Sequence, residues 1–105
     1  MITGAKIWVT LALMSVCVTA LAAPSIERGK VLFSGPELGS SGRSCADCHP
    51  GGKGLDETAR YSDVELAAIV DRCIGKALEG KPLGTDVDDM KSLIMYLRAL
   101  AGPAK

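Results

Sequence analysis

Apolar residues recur three and four positions apart in three stretches of the chain, and no stretch alternates apolar and polar residues as a strand would. The first stretch follows Ser25, a residue suited to cap a helix, and runs Ile26-Glu27-Arg28-Gly29-Lys30-Val31-Leu32-Phe33. Gly29 and Phe33 lie four apart and so share a face. A glycine costs a helix about 1 kcal/mol against alanine, and its use here predicts the close approach of another helix. The second stretch opens with Ser62 and, three residues on, Glu65, the spacing of a capping box. It is predicted to run from Val64 to about Glu79, with Gly80 in the left-handed position and Pro82 completing the stop. Leu66, Ile69, Val70, Cys73 and Ala77 share its apolar face. The third is predicted to be capped by Thr85 or Asp86, with Asp88 and Asp89 complementing the helix dipole in the first turn. It runs to about Leu100 and carries Leu93, Tyr96, Leu97 and Leu100 on one side.

Between these helices, "SGPELGSSGRS" and "PGGKGLDETARY" are rich in glycine, proline and serine and are predicted to be irregular. Loops so long in so small a domain imply that they wrap something. The fold class is therefore all-α, three main helices joined by long loops around a central group.

The segment before Ala23 is organised differently. Lys6 precedes an apolar run from Ile7 to Val18, and Ala20-Leu21-Ala22 then supplies small residues at the spacing of a cleavage site. This is the order of a secretory signal, cut after Ala22. A retained membrane anchor is the competing reading, but the run is short for a spanning helix. A lipoprotein signal at Cys17 is rejected, because the branched Val16 stands where a small residue is expected. The expected organisation is a signal peptide over 1–22 and one domain over 23–105. The domain is expected in the periplasm, with no stable membrane insertion once the leader is removed.

Charge narrows the partners. Twelve basic residues face twelve acidic ones, and loss of the leader removes only Lys6. That balance carries no nucleic-acid footprint. A domain this small usually needs a staple, and in exported proteins the staple is usually a disulfide framework. Beyond the leader only Cys45, Cys48 and Cys73 remain, an odd number. Aromatic side chains are also scarce there: Phe33, Tyr61 and Tyr96. Something else must supply the apolar mass at the centre.

Cys45-Ala46-Asp47-Cys48-His49 contains the sole histidine of the chain. Cys-x-x-Cys-His is the attachment signature of a c-type haem. Two thiols three residues apart on one turn reach the two vinyl groups of one haem, and the next residue offers its imidazole to the iron. Ala46 and Asp47 are expected to make no demand on the arrangement, and Pro50 and Gly51 to let the chain leave it. Half a zinc site would lack a second Cys/His pair. A thioredoxin-like dithiol belongs near a βαβ pattern, which is missing. A structural disulfide would leave Cys73 unpaired and His49 idle. One haem c per chain accounts for both the apolar mass and the staple.

With these motifs in place, nearly the whole of residues 23–105 resembles the cytochrome c family. "ERGKVLF" is similar to its opening helix, "CADCH" to its haem motif and "LIMYLRAL" to its closing helix. The resemblance implies a small cytochrome c fold, with Cys45 and Cys48 as thioether attachments and His49 as proximal iron ligand. It also implies that Gly29 and Phe33 meet Tyr96 and Leu97 where the first and last helices cross. Family members commonly place a methionine in the loop before the last helix. Here that loop, "EGKPLGTDV", has none.

The sixth ligand is therefore open between Cys73, Met90 and no protein ligand. Met90 stands just inside the third helix, and Met95 reads as packing. Cys73 lies on an apolar face, and "DRCIGKALEGKPL" resembles the haem domains of thiosulfate dehydrogenases and sulfur-oxidation cytochromes, where a cysteine on this helix can ligate iron. The expected function is single-electron transfer between redox protein partners. The alternatives are the haem subunit of a sulfur-compound oxidoreductase and a small-ligand sensor with an open iron site.

Overall fold

A computed structural model describes residues 23–102; the segment 1–22, expected to be a leader, lies outside the described residues. Four α-helices form: α1 over Ile26–Ser34, α2 over Cys45–Cys48, α3 over Asp63–Lys76 and α4 over Asp88–Ala101. Two single 3-10 turns, Pro50–Gly52 and Asp56–Arg60, interrupt the stretch expected to be irregular. Among the described residues there is no strand, so the all-α class holds.

The main contact is between the two terminal helices. The Ser25 hydroxyl accepts from the Arg28 amide at 3.0 Å and starts α1. The Ser25 amide in turn donates to Ser92 Oγ on α4 at 3.1 Å. Gly29 is buried where the helices cross. A Cβ there would collide with the Ser92 carbonyl and come within 2.7 Å of Tyr96 Cβ. One face of the crossing is closed by Phe33 and Tyr96, whose rings meet edge to face with centroids 5.3 Å apart. Arg28 Nε, 3.1 Å from Asp89 Oδ1, ties the other end of the crossing. The core continues through Leu32, Leu93, Ile94, Leu97 and Met90 to Ala67 and Ile74 of α3.

Helix boundaries depart from expectation in two places. α4 begins at Asp88 with Val87 at its N-cap, not Thr85 or Asp86, and no side chain caps it. Tertiary contacts hold its first turn instead: Asp89 pairs with Arg28 and Ser92 receives the Ser25 amide. Ahead of it, the Asp71 carboxylate accepts from the Leu83 and Gly84 amides at 2.7 and 3.0 Å and pins that loop to α3.

α3 opens at Ser62 with the expected capping box but stops at Lys76, one turn early. The left-handed residue is Glu79, at φ 55°, rather than Gly80. The loop after α1 has taken over that turn. Ser40 and Ser41 amides donate to the Glu79 and Leu78 carbonyls at 3.2 and 3.0 Å. Gly80 is required by proximity rather than by its own dihedral. A Cβ there would run into the Leu38 carbonyl and lie 2.9 Å from Ile74 Cγ2.

Among the described residues no helix is long and apolar enough to cross a membrane.

Candidate haem-binding cleft

α2 packs on α1 and α3 on α4, and a cleft of about 350 Å³ lies between α2 and α3. Its α3 wall is Leu66, Ile69, Val70, Cys73 and Ala77, the five residues placed on one face by their spacing. Two α3 residues outside that set, Ala67 and Ile74, point into the core and are 1% and 0% exposed. The apolar stripe read from the sequence thus faces the cleft, and a second stripe beside it anchors the helix. Phe33, Leu93 and Leu97 close the back of the cleft. The facing wall runs from Ser44 to Tyr61 and carries Cys45, Cys48 and His49.

The turn that holds the two thiols is built locally. Ser44 Oγ accepts from the Asp47 amide at 3.3 Å, while Asp47 Oδ2 accepts from the Ser44 amide at 2.7 Å. This reciprocal pair satisfies two amides that a helix start would otherwise leave unpaired. Asp47 therefore has a structural task that sequence reading assigned to no residue of the motif, although the Ser-x-x-Asp spacing was there to be read. Cys45 and Cys48 come out on the same side of this single turn. Neither is in a disulfide, nor is Cys73.

His49 ends the turn at φ −127°, ψ 61°. The chain then reverses through Gly51 and Gly52, both at positive φ, and returns the Lys53 carbonyl to 2.9 Å from His49 Nδ1. A carbonyl oxygen can only accept, so Nδ1 is the donor, and in the neutral ring Nε2 then keeps its lone pair. Such a bond orients the imidazole and strengthens it as a donor to iron.

Burial pushes the Cys45 thiol up from its usual range, with a further push from the nearby Cys73 and Cys48. Cys48 and Cys73 are exposed, Cys45 only in part. Met90, by contrast, is 0% exposed in the core, and Met95 lies 40% exposed beside Asp63 and Arg98 on another face. Neither methionine lines the cleft. Among the described residues, no three His, Cys, Asp or Glu side chains gather as a metal cage would require. A haem iron asks only for one or two axial donors from the chain.

No family model, curated protein or solved structure matches the chain. The functional reading therefore rests on the cleft itself.

Thr58 stands in the cleft wall, held by its backbone. It lines the cleft at 6% exposure. Its amide donates to the Leu55 carbonyl at 3.1 Å, and its carbonyl accepts from Tyr61 N and from Arg98 Nη1. Its hydroxyl is buried with no partner among the described residues. A buried hydroxyl without a partner costs about 1–3 kcal/mol. Apolar walls, two free thiols on one turn and an imidazole held by the Lys53 carbonyl fit a flat apolar group. Sequence reading missed Thr58 and Asp71, whose partners lie 40 and 12 residues away.

Proposed function

We propose that this chain is an exported monohaem c-type cytochrome of small cytochrome c fold, carrying single electrons between redox partners. The observation that carries the reading is the His49 Nδ1 bond to the Lys53 carbonyl, which leaves Nε2 unspent on a residue that lines the same cleft as Cys45 and Cys48. In this reading Cys45 and Cys48 hold one haem through thioether bonds and His49 Nε2 donates to its iron. When bound, haem supplies a centre that gains or loses one electron. The chain's own part is to bind, orient and shield. Ser44 and Asp47 set the thiol spacing, the Lys53 carbonyl fixes the imidazole tautomer, and Leu66, Ile69, Val70 and Leu97 exclude water. Export to the periplasm rests on the leader motif.

Expression with and without haem-attachment machinery tests the proposal. Covalent haem should be retained under denaturing conditions, one per chain by mass. Cys45→Ala and Cys48→Ala should each lose one thioether, and the double variant should lose covalent attachment. A denatured chain free of haem would reject the reading.

Cys73 supports a second reading, the haem subunit of a sulfur-compound oxidoreductase. Its side chain lines the cleft, whereas Met90 is enclosed by the core. A thiolate sixth ligand would favour ferric iron and lower the potential. Low-temperature electron-spin resonance of the ferric protein distinguishes histidine–thiolate, histidine–methionine and high-spin open centres. Reduction of the isolated ferric protein by thiosulfate or sulfite, with turnover, would favour the enzyme. Reduction only through a partner protein favours the carrier. A high, methionine-like potential would reject thiolate ligation.

A further inference from the structure

Three thiols line one cleft, divided between its walls: Cys45 and Cys48 on the α2 turn, Cys73 on α3. None is in a disulfide. With His49 they bring four metal-ligating side chains to the cleft, yet no three side chains of such kinds gather anywhere among the described residues. Cys73 therefore shares the cleft with the thiol pair without joining it. A clasp ties the two walls together beside Ser44, Ala77 and Leu78, which also line the cleft. Ser40 and Ser41 donate through their amides to the Glu79 and Leu78 carbonyls at 3.2 and 3.0 Å. The Ser40 hydroxyl adds a bond to the Glu79 carbonyl at 3.0 Å. The paired segments lie too close for side chains: a Cβ on Gly39 would collide with the Leu78 carbonyl, as one on Gly80 would with the Leu38 carbonyl. Glu79 takes a φ of 55° within the clasp, a conformation that residues other than glycine adopt uncommonly.

Short hydrogen-bonded links run from the clasp to both thiol positions. On the α3 side, the Ala77 amide donates to the Cys73 carbonyl at 2.8 Å, and the Ala77 carbonyl accepts from the Ser41 hydroxyl at 3.4 Å. On the other side, Ser41 Oγ accepts from the Arg43 amide at 3.2 Å, and the next residue, Ser44, caps the turn that carries Cys45 and Cys48. Ser41 precedes Cys45 by four residues and Ala77 follows Cys73 by four, so the clasp braces each wall close to its thiol.

We propose that this clasp is a spacer: it keeps Cys73 off Cys45 and Cys48 in the haem-free chain, and so keeps that pair free for its prosthetic group. The inference rests on the haem reading for its purpose and on the chain alone for its geometry. An exported thiol meets oxidants, and a third thiol in the same cleft competes for either member of the pair. A wrong pairing joins Cys73 Sγ to Cys45 or Cys48 Sγ, releases two protons and passes two electrons to a small-molecule disulfide, which leaves as two thiols. A sulfur held in that bond cannot add to a vinyl group. Gly39, Ser40, Ser41 and Gly80 are positioning residues: they act through the placing of the thiols.

The test uses the full haem-free chain carrying Cys17→Ala, so that only the three cleft thiols remain. It is incubated with oxidised glutathione, digested without reduction and mapped for disulfides by mass. The wild-type clasp should keep Cys73 out of any bond with Cys45 or Cys48, and the same chain in denaturant should form such bonds. Ser41→Ala removes the hydroxyl bonds and should raise the cross-cleft fraction about fivefold, the effect of one lost hydrogen bond. Gly39→Ala wedges the clasp apart and should raise it further. Glu79→Gly keeps the clasp bonds and suits the dihedral, so its map should match wild type. Gly29→Ala, a change at the distant helix crossing, should also match wild type below its melting temperature, which separates the clasp from general loosening. A wild-type map equal to that of the denatured chain would overturn the proposal, as would a wild-type map for both Ser41→Ala and Gly39→Ala. The second readout is covalent haem per chain, by mass, after oxidation and then exposure to the attachment machinery. Ser41→Ala should carry less haem than wild type, and adding Cys73→Ser should restore it; without that restoration the protective role falls. If the unoxidised wild-type chain takes up no haem, the haem reading fails, and the disulfide maps still decide the spacer.

Discussion

At the scale of single residues, the cleft sorts three thiols by their surroundings. Cys45 is partly covered and its thiol is held up by burial and by its sulfur neighbours, while Cys48 and Cys73 are exposed. Only the thiolate is nucleophilic, so a raised pKa leaves less of it at any given pH. In the haem-free chain near pH 8, iodoacetamide should modify Cys48 and Cys73 before Cys45, as peptide mass mapping would show. Cys45 should catch up only as the pH rises. Equal labelling of all three would contradict the burial seen here. The two candidate axial residues should also part company on substitution. Met90 is sealed in the core, so Met90→Leu, a volume-conserving change, should cost less than about 1.5 kcal/mol and, in the proposed holoprotein, leave the iron spectrum unaltered. Cys73→Ser should change the spectrum and cost little stability, since its side chain leaves no core cavity. A spectrum altered by Met90→Leu alone would return the sixth position to methionine.

Helices and turns carry a different kind of information. The capping box at Ser62 and the close approach at Gly29 were legible because both are local rules: one is a four-residue pattern, the other a small residue on an apolar face. The stripe on α3 was legible too, but its meaning was not. Spacing shows that residues share a face, not whether that face meets a core or a cleft. The early end of α3 could not be read from its own residues, because the bonds that replace its last turn come from Ser40 and Ser41, over thirty residues earlier. Arg98 follows the same logic. It bonds the Thr58 and Tyr61 carbonyls and the Asp63 carboxylate, all from residues at least 35 positions earlier in the chain. It thus fastens the Asp56–Arg60 turn and the start of α3 to α4. Arg98→Ala should destabilise the protein by about 1–3 kcal/mol, and Arg98→Lys should recover little of it, because a point charge cannot reach three acceptors at once. Thermal denaturation followed by circular dichroism measures both. A loss below about 0.5 kcal/mol would mark Arg98 as an ordinary surface ion pair.

At the scale of the whole molecule, the fold is closed by its two ends. α1 and α4 cross at Gly29, and their contact leaves no room for a methyl group. Gly29→Ala should therefore destabilise by about 1–3 kcal/mol, despite the better helix propensity of alanine, and a stabilised variant would mean that the crossing opens freely. The Arg28–Asp89 pair at the same crossing is half-exposed, and Arg28→Gln should cost under about 1 kcal/mol, less at high salt. Asp89 holds the Arg28 guanidinium above its usual range. A raised cationic group contributes its stability below its unfolded pKa and loses it only as pH climbs through the folded value. Arg28 should therefore keep its charge, and its side of the pair, across neutral pH and lose it only in strong base.

The crossing of the terminal helices also imposes an order in time. Every cleft residue lies between Phe33 and Leu97, but the clasp that completes the fold needs Ser92 and Tyr96, close to the last residues described. If the chain is threaded across a membrane from its N-terminus, the Cys45–His49 turn reaches the far side long before its closing helix. Its thiols are then presented on an open chain rather than in a finished cleft. If those thiols take the proposed haem, the molecule would in that case be assembled around it, with α4 acting as a latch that shuts after the thiols have reacted.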